Sequence, residues 1–146
     1  MRNFRFLALV LYLAMFQSHA ETWSDISRLN PEVVSEIITI RSQQDVETAL
    51  KNLPENTKIT ISGTRHSQGG HIVYPNGIVL DMTNYNKIVS ISPKNKLVSV
   101  QSGATWSIVQ KEANKHGLAV KVMQSSNIFS VGGSLSANVH GRDPRF

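Results

Sequence analysis

The sequence predicts an α+β domain with mixed sheets. Six short runs are rich in β-formers, two longer runs repeat their apolar residues at helical spacing, and glycine, proline and asparagine separate them. Strands and helices interleave without an internal repeat, which excludes a helical bundle and an all-β sandwich.

The elements follow in order. Residues 21–33 read as an irregular lead-in with Pro31 as punctuation. EIITI, residues 36–40, has strand composition. SQQDVETALKNL, residues 42–53, reads as a helix. Ser42 is its N-cap, Asp45 and Glu47 lie in its first turns, and Val46, Ala49, Leu50 and Leu53 make one apolar face. Pro54 and Asn56 end it. KITISG, residues 58–63, alternates, with Ile59 and Ile61 on one side, and GIVLDM, residues 77–82, is a further strand. KIVSI (87–91) and KLVSVQSG (96–103) flank SPKN, a turn with proline early and asparagine late, and read as a hairpin. TWSIVQKEANKHG, residues 105–117, is a second helix, capped by Thr105, with Ile108, Val109 and Ala113 inward and Gly117 as its stop. LAVKVM, residues 118–123, begins a last strand.

The chain has 146 residues, enough for one domain with a core. With 40% hydrophobic and 17% charged residues it is neither disordered nor a multi-span membrane protein. Its net charge is +5, but the lysines are scattered and form no basic stripe, which argues against nucleic acid as a partner. Residues 1–20 have the pattern of a secretory signal peptide. Arg2 and Arg5 precede the apolar run FLALVLYLAMF, and SHA supplies small residues before a cleavage point after Ala20. An uncleaved membrane anchor is the plain alternative, but the run is short for a comfortable span, and no stable span is expected once it is removed. Export to the periplasm or the medium is the expectation. There is no cysteine, so disulfides, thiolate metal sites and thiol chemistry are excluded.

Two polar, glycine-rich stretches carry the chemistry. The first, ISGTRHSQGGH at 61–71, follows a strand. Gly63, Gly69 and Gly70, with Thr64, Ser67 and Gln68 among them, allow consecutive backbone N–H groups to wrap a phosphate, and Arg65 adds charge. The loop is neither a Walker loop nor a Gly-x-Gly-x-x-Gly fingerprint. A loop that only turns a corner is the plain alternative. His66 sits inside it, off any alternating core position, and three roles stay open: a surface residue, a metal ligand with His71 and His140, or a nucleophile bonded to a cofactor. The spacing of these histidines matches no common zinc motif and no nearby carboxylate completes a set, so no metal is assigned. The second stretch is QSSNIFSVGGSLSANVHGRD, residues 124–143.

Together these residues resemble a known family. GTRHSQGG before the VLDM strand, then SVQSGATWSIVQKEANKHGLAV, then SVGGSLSANVHGRD, are similar in order and spacing to the FAD-binding domain of the vanillyl-alcohol oxidase and para-cresol methylhydroxylase flavoproteins. The likeness covers roughly residues 34–146. It implies a fold of two small α/β subdomains with FAD between them. It implies a first loop, Gly63 to Gly70, that cradles the pyrophosphate, with His66 at the position that many members bond to the 8α-methyl of the flavin ring. It implies that Ser126, Val131, Gly132, Gly133, Ser136, Asn138, His140 and Gly141 meet the other side of the cofactor. Trp106 reads as core.

Family members are several times longer and carry a substrate domain that supplies the catalytic acid or base. The expectation is therefore an FAD-binding domain incomplete at its C-terminus. It would belong to an oxidase or dehydrogenase of an alcohol, sugar or lactone-like substrate, with the catalytic residues outside this chain. Exposed apolar faces and aggregation are expected of it. A non-catalytic remnant and a periplasmic ligand-binding module are the competing readings.

Overall fold

The computed structural model describes residues 21–143 and Arg145, so the signal-peptide reading of 1–20 lies outside the described residues. The centre is a three-stranded parallel sheet. Strands β3 (Glu36–Thr39) and β4 (Ile59–Ser62) flank β5 (Ile78–Asp81), with Ile38 and Ile61 both opposite Leu80. Parallel strands of one sheet need a crossover connection, and helix α1 (Gln43–Lys51) lies in the one from β3 to β4, on either side of β5. Its start is a full capping box: the Ser42 hydroxyl accepts from the Asp45 N–H, and the Asp45 carboxylate accepts from the Ser42 N–H. The bond from the Arg41 N–H, and after it those from Ser42, hold the Asp45 carboxyl below its usual range.

The core lies between α1 and the sheet. Ile40, Ala49, Ile78 and Leu80 are buried, with Ile38, Val46, Leu53 and Ile59 packed around them. Three residues expected inward are exposed, one of them Ile108 of the helix at 105–117, at 37%. Leu50 is 51% exposed at the rim of the α1 face, and Ile61 is 65% exposed although it shares its side of β4 with Ile59. The reason is geometric: β4 is an edge strand, and α1 covers only its start.

Strands β6 (Ile88–Ser92) and β7 (Leu97–Val100) pair antiparallel as the expected hairpin. Helix α2 (Trp106–Asn114) is capped by the Thr105 hydroxyl. It exits through Gly117 at φ +66°, where the Gly117 N–H donates to Asn114 and the Leu118 N–H to Ala113, closing a glycine-terminated helix end. A short helix α3 (Val131–Ser136) lies in the second glycine-rich stretch, capped by Ser130.

Three expectations are corrected. The lead-in is not irregular: β1 (Glu21–Trp23) and β2 (Glu32–Val34) pair antiparallel, joined by residues 24–31. Residues 118–123 form no strand, because no described segment offers them a ladder; the Val120 N–H donates instead to the Gln110 side chain. The sheets are not mixed, since one is parallel and the two others are antiparallel. Val89, Leu97 and Val98 on the hairpin are exposed, as is Ile61. No helix among the described residues is long and apolar enough to cross a membrane.

Candidate functional site

All three parallel strands end at one edge, and the segments leaving that edge build the site. After β5, Asp81 folds the chain over: its carboxylate accepts from the Thr83 N–H and hydroxyl. The resulting turn presents the Tyr85 carbonyl to the Gly103 N–H at 2.8 Å. The turn at 102–104 then receives the second glycine-rich stretch. The Val131 N–H donates to Ala104 and the Gly132 N–H to Ser102, both at 2.8 Å. A Cβ on Gly132 would lie 2.7 Å from the Ser102 Cβ, so this glycine is needed for packing.

The first loop leaves β4 and meets that second stretch directly. The Ser130 N–H donates to the Thr64 hydroxyl at 3.2 Å, across 66 residues of sequence. A Cβ on Gly63 would collide with the Ser130 hydroxyl, so Gly63 makes room for this junction. The His66 ring lies 4.8 Å from the Phe129 ring, tilted by 46°. Phe129 and Ser130 were not singled out in the sequence; nothing local marks them, because their role depends on a contact made far along the chain.

The loop backbone is bent into the left-handed region at Arg65 (φ +60°), Gly69 (φ +87°) and Gly70 (φ +75°). Glycine tolerates this and arginine does so at a cost, which the surroundings must offset. The N–H groups of Thr64 through Gly69 make no hydrogen bond among the described residues. The Gly70 N–H does: it donates to the Asp25 carboxylate at 3.1 Å. The Arg65 guanidinium lies 4.5 Å over the Trp23 ring, and Gln68 is exposed. His66 Nδ1 and Ser67 Oγ are buried without a partner. Leaving such an atom unsatisfied costs on the order of 1–3 kcal/mol, so two of them in one loop mark a place built for a polar ligand. The donors and orphaned polar atoms fit a dinucleotide phosphate and ring.

The later residues are spread more widely. Val131, Gly132 and Gly133 lie in α3, and the Ser136 hydroxyl is turned back onto the Gly132 carbonyl. Asn138, at φ +49°, His140 and Gly141 line a concavity of about 150 Å³ against Trp106 and Gln124. The Trp106 indole N–H donates to the Ser134 hydroxyl at 2.8 Å. Ser126 lies outside this concavity, and its carbonyl accepts from Gln124. A second concavity, about 260 Å³, is lined by Thr64, Arg65, Asp25 and Arg28. Each is smaller than the ~300–1,000 Å³ usual for a ligand pocket. The second includes Thr64, one member of the junction.

Fold and site together define a flavin-binding domain. The FAD binding domain family matches residues 34–145, and the chain belongs to it. FAD is the cofactor of this domain. The chain is 30% identical over 117 residues to the decaprenylphosphoryl-beta-D-ribose oxidase of Mycolicibacterium smegmatis, covering 80% of this chain and 25% of that protein. It is 29% identical to the D-lactate dehydrogenase of Anaerostipes hadrus, covering 78% and 24% respectively. The fold superposes on a cholesterol oxidase from B. sterolicum with a TM-score of 0.62 at 21% identity, over 84% of this chain and 24% of that one. The chain thus spans about a quarter of the length of the curated relatives it matches.

Proposed function

We propose that this chain is the FAD-holding part of an oxidoreductase that oxidises a hydroxyl-bearing carbon of an alcohol, sugar or lactone-like small molecule. The observation that carries this reading is the junction of the two glycine-rich stretches through Thr64–Ser130 and His66–Phe129. Bound FAD supplies a two-electron acceptor. The chain's own residues would bind and orient it: the amides of Thr64 through Gly69 offer donors to the diphosphate, and the half-buried ring of His66, set against Phe129, would meet the flavin ring. The substrate wall and the acid or base of the reaction belong to residues outside this chain. Purified chain reconstituted with FAD and passed over a desalting column is expected to retain flavin absorbance near one equivalent. Colourless protein at saturating FAD would overturn the proposal.

We further propose that the protein is exported and that residues 1–20 are removed. Arg2, Arg5 and the apolar run at 6–16 support this. The full chain expressed in a bacterium is expected in the periplasmic fraction or medium with Glu21 as its first residue. Cytosolic protein retaining its leader would refute export.

A further inference from the structure

Asp25 is 2% exposed and is the only acidic residue among the buried polar residues described. One carboxylate oxygen accepts from the Ser27 N–H at 3.0 Å and from the Ser27 hydroxyl. The other accepts from the Gly70 N–H, 45 residues away. A carboxylate beside a loop expected to take a diphosphate is at first sight misplaced, since like charges repel. Its position resolves this. It occupies the last amide of the loop and leaves those of Thr64 through Gly69 open, and three donors spread its charge. The Ser27 hydroxyl and then the Gly70 N–H hold its carboxyl below the usual range, so it is ionised wherever the domain is folded near neutral pH.

The neighbours of Asp25 grip the other end of the same loop. The Ile26 N–H donates to the Arg65 carbonyl at 2.8 Å, and Trp23 lies under the Arg65 guanidinium. A Cβ on Gly70 would lie 3.1 Å from the Asn30 Cβ, so residues 23–30 follow the loop closely from Arg65 to Gly70. Left-handed backbone at a non-glycine residue persists only where its surroundings over-determine it. Here that surrounding is residues 23–30, which precede the part of the chain matched by the family.

We infer that Asp25 is a positioning residue for the cofactor loop: by fixing Gly70 while Ile26 fixes Arg65, it presets the intervening amides for the FAD diphosphate. The affinity part of this inference rests on the FAD reading above; the part about loop order does not. The test is amide hydrogen exchange of the full chain without FAD, paired with FAD titration well below the melting temperature. Asp25→Ala is expected to speed exchange of the two amides that pin the loop, Gly70 N–H and Ile26 N–H, by about tenfold or more, with α1 and the parallel sheet unchanged, and to weaken FAD binding by about tenfold. Asp25→Asn, which keeps one acceptor oxygen, is expected to fall between. A merely structural role would lower the melting temperature and leave FAD affinity and loop exchange alone. Unchanged exchange at Gly70 overturns the inference, and so does tighter FAD binding in Asp25→Ala, which would make Asp25 a competitor for the phosphate site. If the parent chain retains no FAD, the proposed function fails and the exchange result still decides loop order. If Asp25→Ala does not fold, Ser27→Ala removes one donor and is expected to shift exchange and affinity in the same direction by less; no shift there counts against the inference.

Discussion

Replacing Gly103 with alanine is expected to lower stability by ~3 kcal/mol or more, or to prevent folding. A Cβ at this position would lie 1.8 Å from the Met82 carbonyl oxygen and 2.7 Å from that of Tyr85. Both are backbone atoms, so no rotamer change relieves the overlap. The turns themselves must separate, which breaks the 2.8 Å bond from the Gly103 N–H to Tyr85. Loss of the site follows, because the neighbours of Gly103 hold the second glycine-rich stretch. Ser102 accepts from Gly132 and Ala104 from Val131, and Ser130 beside them carries the bond to Thr64. Urea unfolding should show the loss, and a thermal melt should fall by roughly 10 °C. FAD affinity measured well below that melt should fall too, since the junction loosens before the parallel sheet does. Gly117→Ala is the control. Gly117 sits at φ +66° with nothing within 4 Å of a built Cβ, so alanine there meets only backbone strain of about 1 kcal/mol. Equal effects at the two glycines would show that the close approach at Gly103 is not what matters.

What the sequence revealed divides along the range of the interactions. Helix α1 was legible because Ser42 and Asp45 complete their bonds within four residues, and α2 because Thr105 and Gly117 mark its ends locally. The hairpin at 88–100 was legible for the same reason. Residues 118–123 show the converse. LAVKVM has strand composition, but a strand exists only with a neighbour to bond, and composition does not say whether one is at hand. The first strand pair was missed because β1 and β2 are three residues each and Pro31 adjoins β2. In the site, the two glycine-rich stretches could be found by residue type, whereas their junction could not. Ser130 meeting Thr64 and Phe129 meeting His66 depend on how the turns at 82–85 and 102–104 stack. Asp25 left half a signal: Asp25-Ile26-Ser27 is a side-chain-to-backbone turn visible in sequence, but its second oxygen reaches Gly70 only in the fold.

His66→Ala is expected to convert an acid-stable flavin into one wholly released by acid, without abolishing FAD binding. The ring is suited to a covalent link. It is half-buried and set against Phe129, and its buried Nδ1 has no partner. A neutral imidazole carries one nitrogen lone pair suited to nucleophilic attack, and Nδ1 makes no hydrogen bond among the described residues. Its place is fixed from the backbone, because the preceding Arg65 is held in the left-handed region with its carbonyl bonded to Ile26. Alanine accepts ordinary backbone angles and leaves that arrangement standing. It removes the ring pair with Phe129, worth about 0.5–1.5 kcal/mol, and keeps the loop amides and the Thr64–Ser130 bond. Reversible FAD affinity in the variant should therefore stay within about tenfold of the non-covalent step in the parent protein. The readout is flavin in the supernatant against flavin in the pellet after acid precipitation, with a flavin-bearing peptide spanning His66 recovered from the parent chain alone. The redox potential of the bound flavin should also fall in the variant, since a linked imidazole withdraws electron density from the ring. Acid-stable flavin that persists in His66→Ala would move the bond elsewhere, with His71 and His140 the next to test. Fully acid-soluble flavin in the parent would leave the orphaned nitrogen as a hydrogen-bonding group for the cofactor, and His66 would then orient the ring without being bonded to it.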